Sequence, residues 1–192
     1  EEAAAIPIGG FEALHFLRQA EIQPGQNVLI YGAGGSIGTI AIQLARSYGA
    51  EVTGVDRGDK LDMLRSIGAD HVVDYTQEDF TQTNQSYDVI FDVVGKSPFS
   101  GSLRALKPGG CYLIANPSLR AMARQRLASR GRKVILGTSS YSSEDLVYLR
   151  ELIEAGKIKP VIDRRYPLEQ IAEAHRYVEA GGKKGNVIIV IK

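Results

Sequence analysis

The sequence predicts an α/β protein, a doubly wound parallel sheet in three αβα layers. Three observations carry this. Short apolar segments alternate with segments of helical periodicity along nearly the whole chain. The strand segments are apolar throughout rather than alternating, as strands covered by helices on both faces must be. Residues 27–38, NVLIYGAGGSIG, set a glycine cluster between a strand and a helix. Right-handed crossovers of such units wind the sheet in both directions from a switch point, and a ligand sits there at the carboxyl ends of the strands.

Taken in order, Ala3 to Gly10 reads as a small-residue lead-in broken by Pro7. Phe11 to Ala20 is an amphipathic helix with Phe11, Leu14 and Leu17 on one face. Pro24-Gly25 turns the chain into the first strand, whose apolar run is Val28, Leu29 and Ile30. From Ile37 to Tyr48 the residues Ile37, Ile40, Ala41, Leu44, Ala45 and Tyr48 share a helical face, and Gly49 stops the helix. Glu51 to Val55 is the second strand, ending at Asp56; Lys60 to Ile67 is a short helix stopped by Gly68; His71 to Asp74 is the third strand. Tyr87 to Asp92 is the fourth strand and Phe99 to Leu106 a helix, after which Lys107-Pro108-Gly109-Gly110 turns the chain into a fifth strand, Cys111 to Ala115. Leu119 to Ser129 reads as a basic helix and Lys133 to Leu136 as a sixth strand. Ser143 caps a helix to Ala155 with Glu144 and Asp145 in its first turn. Val161 and Ile162 are extended, Leu168 to Ala180 is a last helix, and Asn186 to Ile191 a last strand.

Length and composition narrow the function. The 192 residues suffice for one well-buried domain, or a domain plus an appendage. No apolar run approaches the roughly 18 residues of a membrane span. The opening EEAAAIPIGG lacks the basic and apolar regions of a secretory signal, so a cytoplasmic protein is expected. A net charge of +1 provides no electrostatic attraction for nucleic acid. The single cysteine, Cys111, excludes an intrachain disulfide and a cysteine-rich zinc site, and its place inside a strand predicts an inert buried thiol. The histidines, His15, His71 and His175, are scattered and not paired at metal spacing.

Strand, glycine turn and helix together form a phosphate cradle. The turn admits a pyrophosphate, and the first helical N–H groups face it with a dipole charge of roughly +0.5 behind them. The usual G-x-G-x-x-G is not met, because the sixth place from Gly32 is Ile37. The fitting spacing is Gly32, Gly35 and Gly38, with Gly34 extra. Gly32 makes the tight turn, Gly35 permits close phosphate approach, and Gly38 lets the helix pack on the strand. Asp56 follows at the end of the second strand, where a carboxylate accepts hydrogen bonds from the adenosine ribose. It also repels a 2′-phosphate: like charges about 4 Å apart cost on the order of 1 kcal/mol in water and 4 at a partly buried site. Arg57 and Lys60 stand nearby to offset the repulsion, so a moderate preference for NAD over NADP is expected.

Several strings together resemble the medium-chain dehydrogenase/reductase superfamily: EEAAAIPIGGFEAL, VLIYGAGGSIGTIAIQLARSYGAEVTGV, RSIGADHVVDYT, YDVIFDVVG, LKPGG and GKIKPVIDRRYPLEQIAEAHRYVEAGGKKGNVIIVI. The closest likeness is to its zinc-free branch, the quinone oxidoreductase-like and NAD(P)-dependent alcohol dehydrogenase-like proteins. That branch uses the G-x-x-G-x-x-G spacing; Ser36, standing where a second glycine is usual, is a departure. The resemblance implies a dinucleotide-binding (Rossmann) domain over residues 1–139. It assigns residues 140–192 to a segment returning to a catalytic domain that is mostly outside this chain. It implies cofactor contacts by Gly35, Ser36, Ile37 and Gly38 at the pyrophosphate, by Asp56 and Arg57 at the adenosine ribose, and by Tyr75 beside the adenine. Val94, Gly95, Ala115 and Asn116 approach the ribose and nicotinamide. Zinc-dependent relatives place a cysteine ligand at the position of Gly9, so this copy is expected to be zinc-free.

The function so implied is hydride transfer between a nicotinamide and a small carbonyl compound, a quinone, enone or aldehyde, with a homodimer formed through the sixth strand. No catalytic acid or base in this chain is identified. Two other classes use similar features: a nucleotide-binding module without catalysis, and a methyltransferase, which carries an acid just before the glycine turn where this chain has Tyr31. The basic residues from Arg120 to Lys133 read as a solvated helix face, and Lys183 and Lys184 as solvated loop residues.

Overall fold

The computed structural model describes residues 1–119, 122, 132–137 and 142–191. Strands form at the six apolar segments: β1 (Asn27–Tyr31), β2 (Glu51–Asp56), β3 (His71–Asp74), β4 (Tyr87–Asp92), β5 (Leu106–Ile114) and β6 (Lys133–Leu136). They join one sheet in the order β3-β2-β1-β4-β5-β6, with every neighbouring pair parallel. Chain order reverses between β1 and β4, so the crossovers leave a crevice at the carboxyl ends of those two strands.

Burial on both faces explains the unbroken apolar runs. In β1, Val28 and Ile30 enter one hydrophobic cluster and Leu29 the other. In β5, Cys111 and Leu113 divide from Tyr112 and Ile114 in the same way. Successive strand residues point to opposite faces, so each run must be apolar twice over. The first cluster is covered by α1 (Pro7–Gln19) and α2 (Ser36–Ser47), and the second by α4 (Phe99–Ala105). The short α3 (Leu61–Ser66) follows a 3-10 turn at Gly58–Lys60 and stops before Gly68, whose φ is +106°.

The structure corrects three boundaries. Helix α1 begins at Pro7 rather than Phe11, with the proline in its first turn where a missing N–H costs nothing. Gly9 and Gly10 have poor helix propensity, but both are buried at close approaches. A Cβ on Gly9 would lie 2.7 Å from the Ser36 carbonyl oxygen, and one on Gly10 2.8 Å from Leu149 Cδ1. The expected turn at 107–110 is instead a bulge inside β5: pairing passes from Tyr87↔Leu106 to Val89↔Cys111, and Gly109 at φ +77° absorbs the extra length. The cap of α5 (Ser143–Glu154) is Ser142, whose hydroxyl accepts from the Asp145 N–H at 3.1 Å, one residue before the expected Ser143. The basic helix expected from Leu119 to Ser129 falls, apart from Leu119 and Met122, outside the described residues.

Beyond α5 the chain forms a second, two-stranded parallel sheet from β7 (Ile162–Pro167) and β8 (Asn186–Val190), joined by α6 (Ile171–Glu179). Helix α5 packs on the main body, with its Leu149 and Leu152, and Ile158 just beyond its end, in the first cluster. Within residues 140–192, then, α5 shares the main core while β7, α6 and β8 stand outside the six-stranded sheet.

Candidate functional site

A cleft of about 350 Å³ opens at the carboxyl ends of β1 and β4, the switch point of the sheet. Gly32 follows β1 at φ +80°, and the N–H groups of Gly32 and Ala33 donate to the Val55 carbonyl at 3.0 and 3.1 Å, pinning the turn to β2. Gly38 sits where a Cβ would lie 2.5 Å from the Gly32 oxygen and 2.6 Å from Ala33 backbone atoms, so only glycine lets α2 pack on the turn. Gly35 is different. Its φ of −93° suits any residue, and a Cβ there would meet nothing nearer than the Gly32 oxygen at 3.8 Å. The protein's own packing leaves the space before Gly35 free, at the N-terminus of α2 where Ser36, Ile37 and Gly38 occupy the first turn. A phosphate group fits that space and the unpaired N–H groups of a first turn.

The wall on the β2 side is a buried ion pair. Asp56 and Lys60 are 5% and 7% exposed, with the Lys60 ammonium 3.1 Å from Asp56 Oδ1. Asp56 Oδ1 also accepts the Arg57 N–H at 2.9 Å, and Oδ2 accepts the Gly34 N–H at 2.7 Å. Gly34, the extra glycine of the loop, lies against this pair: a Cβ on it would press on Lys60 Cδ and lie 2.9 Å from Asp56 Oδ2, displacing the two side chains. Of the two cations expected to offset Asp56, Lys60 is the one within ion-pair distance of it. The Arg57 guanidinium pairs with Asp59 at 3.2 Å on the surface. Tyr75, half exposed, lines the cleft beside Tyr31, with ring centroids 5.9 Å apart.

The floor beyond β4 is organised by a residue the sequence reading missed. Asp92 is 1% exposed. Its Oδ1 accepts N–H groups from Val94, Gly95 and Lys96 at 3.2, 2.7 and 3.3 Å, and its Oδ2 accepts that of Ser97 at 2.8 Å. The signal lay in the string DVVG, a strand-end acid before a glycine-containing loop. Val94 emerges 41% exposed and faces Gly32. Gly95, at φ +69°, passes so close to Asn116 that a Cβ would collide with its carbonyl oxygen. The Asn116 amide donates to the Val93 carbonyl at 2.8 Å, and the Ala115 N–H to that of Asp92 at 3.1 Å. Gly95, Ala115 and Asn116 thus hold the loop that presents Val94. Behind it Ser97 Oγ lies 2.6 Å from the Tyr112 hydroxyl, whose pKa burial, with the charge of Asp92, pushes up to about 12. Burial likewise pushes the Cys111 thiol up to about 11, the state of an unreactive core cysteine.

The C-terminal loop closes over the glycine turn. The Gly185 N–H donates to the Gly34 carbonyl at 2.8 Å, and the Ser36 hydroxyl lies 3.1 Å from the Gly185 carbonyl. Lys183, expected to be solvated, is half-buried instead, its ammonium 2.8 Å from both Ser36 Oγ and the Gly185 carbonyl. The backbone N–H of the next residue, Lys184, donates to the Asp163 carboxylate at 2.9 Å.

His15 lies 2.7 Å from the Gln19 side chain, His71 pairs with Glu51, and His175 is exposed. Among the described residues no three His, Cys, Asp or Glu side chains come together, and Gly9 carries no donor.

Residues 67–189 match a family model described as zinc-binding dehydrogenase. The chain is 31% identical over 192 residues to a 2-methylene-furan-3-one reductase of Solanum lycopersicum, covering 98% of this chain and 46% of the relative. It is 29% identical over 192 residues to an NADPH-dependent alkenal/one oxidoreductase, chloroplastic, of Arabidopsis thaliana, with coverage of 98% and 46%. Among solved structures it is similar to the quinone oxidoreductase from Coxiella burnetii, with a TM-score of 0.90, 29% identity, and coverage of 98% of this chain and 60% of that one. The chain spans about half the length of the curated relatives it matches.

Proposed function

Because the chain belongs to the zinc-binding dehydrogenase family of the medium-chain dehydrogenase/reductase superfamily, we propose that it is the cofactor-binding part of an NAD(P)(H)-dependent oxidoreductase acting on a small quinone, enone or aldehyde. The observation that carries this reading is the open space before Gly35, set at the N-terminus of α2 in the switch-point cleft, where a Cβ would meet no protein atom closer than 3.8 Å. The bound nicotinamide supplies or accepts the hydride. The first turn of α2 binds the pyrophosphate, Asp56 meets the adenosine ribose, Tyr75 flanks the adenine, and the Asp92-held loop presents Val94 to the nicotinamide half. Calorimetric titration with NADH, NADPH and S-adenosylmethionine tests it. Binding of either dinucleotide and not of the methyl donor is expected; binding of S-adenosylmethionine alone would overturn it.

Cofactor choice is the finer part of the proposal. Asp56 disfavours a 2′-phosphate, but its pairing with Lys60 softens the repulsion, so the NAD preference is moderate. Asp56→Ala removes the negative charge and leaves Lys60 unpaired. The ratio of NADPH to NADH affinity should rise about ten-fold, a fraction of the roughly 4 kcal/mol that unscreened like charges exert at such a site. An unchanged ratio in parallel titrations would remove Asp56 from the ribose.

We further propose that residues 140–192 of the longer protein lead to its catalytic domain, that the enzyme uses no zinc, and that it is cytoplasmic. A homodimer through β6 is part of the same reading, since β6 ends the sheet order and leaves an edge able to pair. Sedimentation of the protein is expected to show a dimer; a monomer at all concentrations would remove β6 from an interface.

A further inference from the structure

Tyr112 sets a hydroxyl inside the apolar core. In β5 it pairs with Ile90, two residues before Asp92, so the pleat puts Tyr112 and Asp92 on the same face of the sheet. Tyr112, Ser102, Asp92 and Ser97 are all buried, and their polar atoms meet. The Ser97 hydroxyl lies 2.6 Å from that of Tyr112 and 3.1 Å from that of Ser102, while the Tyr112 hydroxyl comes to 3.5 Å from Asp92 Oδ2. The Tyr112 ring is held as well, its centroid 5.7 Å from that of Phe99. Three elements thus converge on Ser97: β5 through Tyr112, α4 through Ser102, and β4 through the Asp92 carboxylate, which accepts the Ser97 N–H at 2.8 Å.

Packing alone gives no reason for the Tyr112 hydroxyl. A phenylalanine there would keep the ring against Phe99, and Ser97 and Ser102 would still pair with each other. An apolar replacement of the same shape is close to neutral when no partner is orphaned. What the hydroxyl adds is a second anchor for the cleft floor. Asp92 gathers four consecutive N–H groups, but a carboxylate turning about its Cβ–Cγ bond carries all four donors with it. Ser97 is the last of the four, and its hydroxyl is tied to Tyr112. Paired buried networks of this kind rigidify what they join. We propose that Tyr112 is a positioning residue for the nicotinamide half of the dinucleotide: acting through Ser97, it fixes the loop 94–97 and so the placing of Val94 and Lys96, which line the cleft. This rests on the dinucleotide reading above.

Titration with NADH and with ADP, which lacks the nicotinamide half, separates positioning from general support of the fold. Tyr112→Phe should weaken NADH about five-fold and leave ADP affinity unchanged, with the urea midpoint little moved. Ser97→Ala, which keeps the N–H to Asp92, should produce the same split. The double variant should lose no more than either alone, because the two hydroxyls act as one unit. Tyr87→Phe, a buried tyrosine at the other end of β4 bonded to Thr53, should bind both ligands as the wild type does. Equal losses of NADH and ADP, as an unfolded variant would give, or unchanged NADH affinity in either Tyr112→Phe or Ser97→Ala, would overturn the assignment while leaving the dinucleotide reading intact. A wild-type protein that binds neither ligand would overturn both.

Discussion

Gly38→Val is expected to abolish dinucleotide binding and to destabilise the domain. A Cβ at this position would lie 2.5 Å from the Gly32 carbonyl oxygen and 2.6 Å from the Ala33 carbonyl carbon and Cα. These are backbone atoms of the turn itself, with no flexible side chain to yield. The first turn of α2 must then lift away from β1, and the N–H groups of Ser36 and Ile37 move with it, out of the place proposed for the phosphate. Overpacking of this kind costs about 1–3 kcal/mol, and valine adds two methyl groups to the collision. Calorimetry should show no heat with NADH, and the urea midpoint should fall. Gly35→Ala is the matched control: its Cβ meets no protein atom within 3.8 Å, so stability should hold while cofactor affinity falls. Equal stability and equal binding in both variants would mean that the glycines do not form the cradle.

Asp92→Ala should unfold the cleft floor. Four backbone N–H groups, from Val94 to Ser97, end on this one buried carboxylate. Without it they lose their acceptor at the end of β4: the buried Ser97 N–H left unsatisfied costs about 1–3 kcal/mol, and the three part-buried donors before it cost less each. A partial rearrangement of the loop recovers some of this, leaving an expected loss of about 3–5 kcal/mol. Asp92→Asn keeps the shape but turns one acceptor into a donor, and should fall between alanine and wild type. Chemical denaturation reads the order directly. Dinucleotide affinity should follow it, because the loop held by Asp92 carries Val94 into the cleft. A loss below about 1 kcal/mol for alanine would show that the loop finds other acceptors.

Much of this architecture was readable from local pattern. The β1–α2 unit, β2 with its terminal acid, and the parallel order followed from period and punctuation, since a strand buried on both faces and a helix buried on one leave different imprints. The start of α1 was hidden because Gly9 and Gly10 argue against a helix by propensity; their burial against Ser36 and Leu149 outweighs it. The turn at 107–110 was misread because Pro108 and two glycines look alike in a turn and in a bulge. Among the expected site residues, Gly32, Gly35, Asp56, Tyr75 and Val94 line the cleft. Gly95, Ala115 and Asn116 brace its floor, and Arg57 turns away to Asp59.

The sequence by itself determined the order of elements, the glycine cradle after β1 and the acid at the end of β2. These depend on residues near one another in the chain, where periodicity and backbone freedom act. Only the tertiary structure decided that Asp56 is held by Lys60 and Gly34, that Asp92 gathers four N–H groups, and that Lys183 reaches Ser36 across 147 positions. A charge in a glycine-flanked loop has the same local signature whether water or a helix N-terminus receives it. The difference is made by burial and by partners that folding brings from elsewhere.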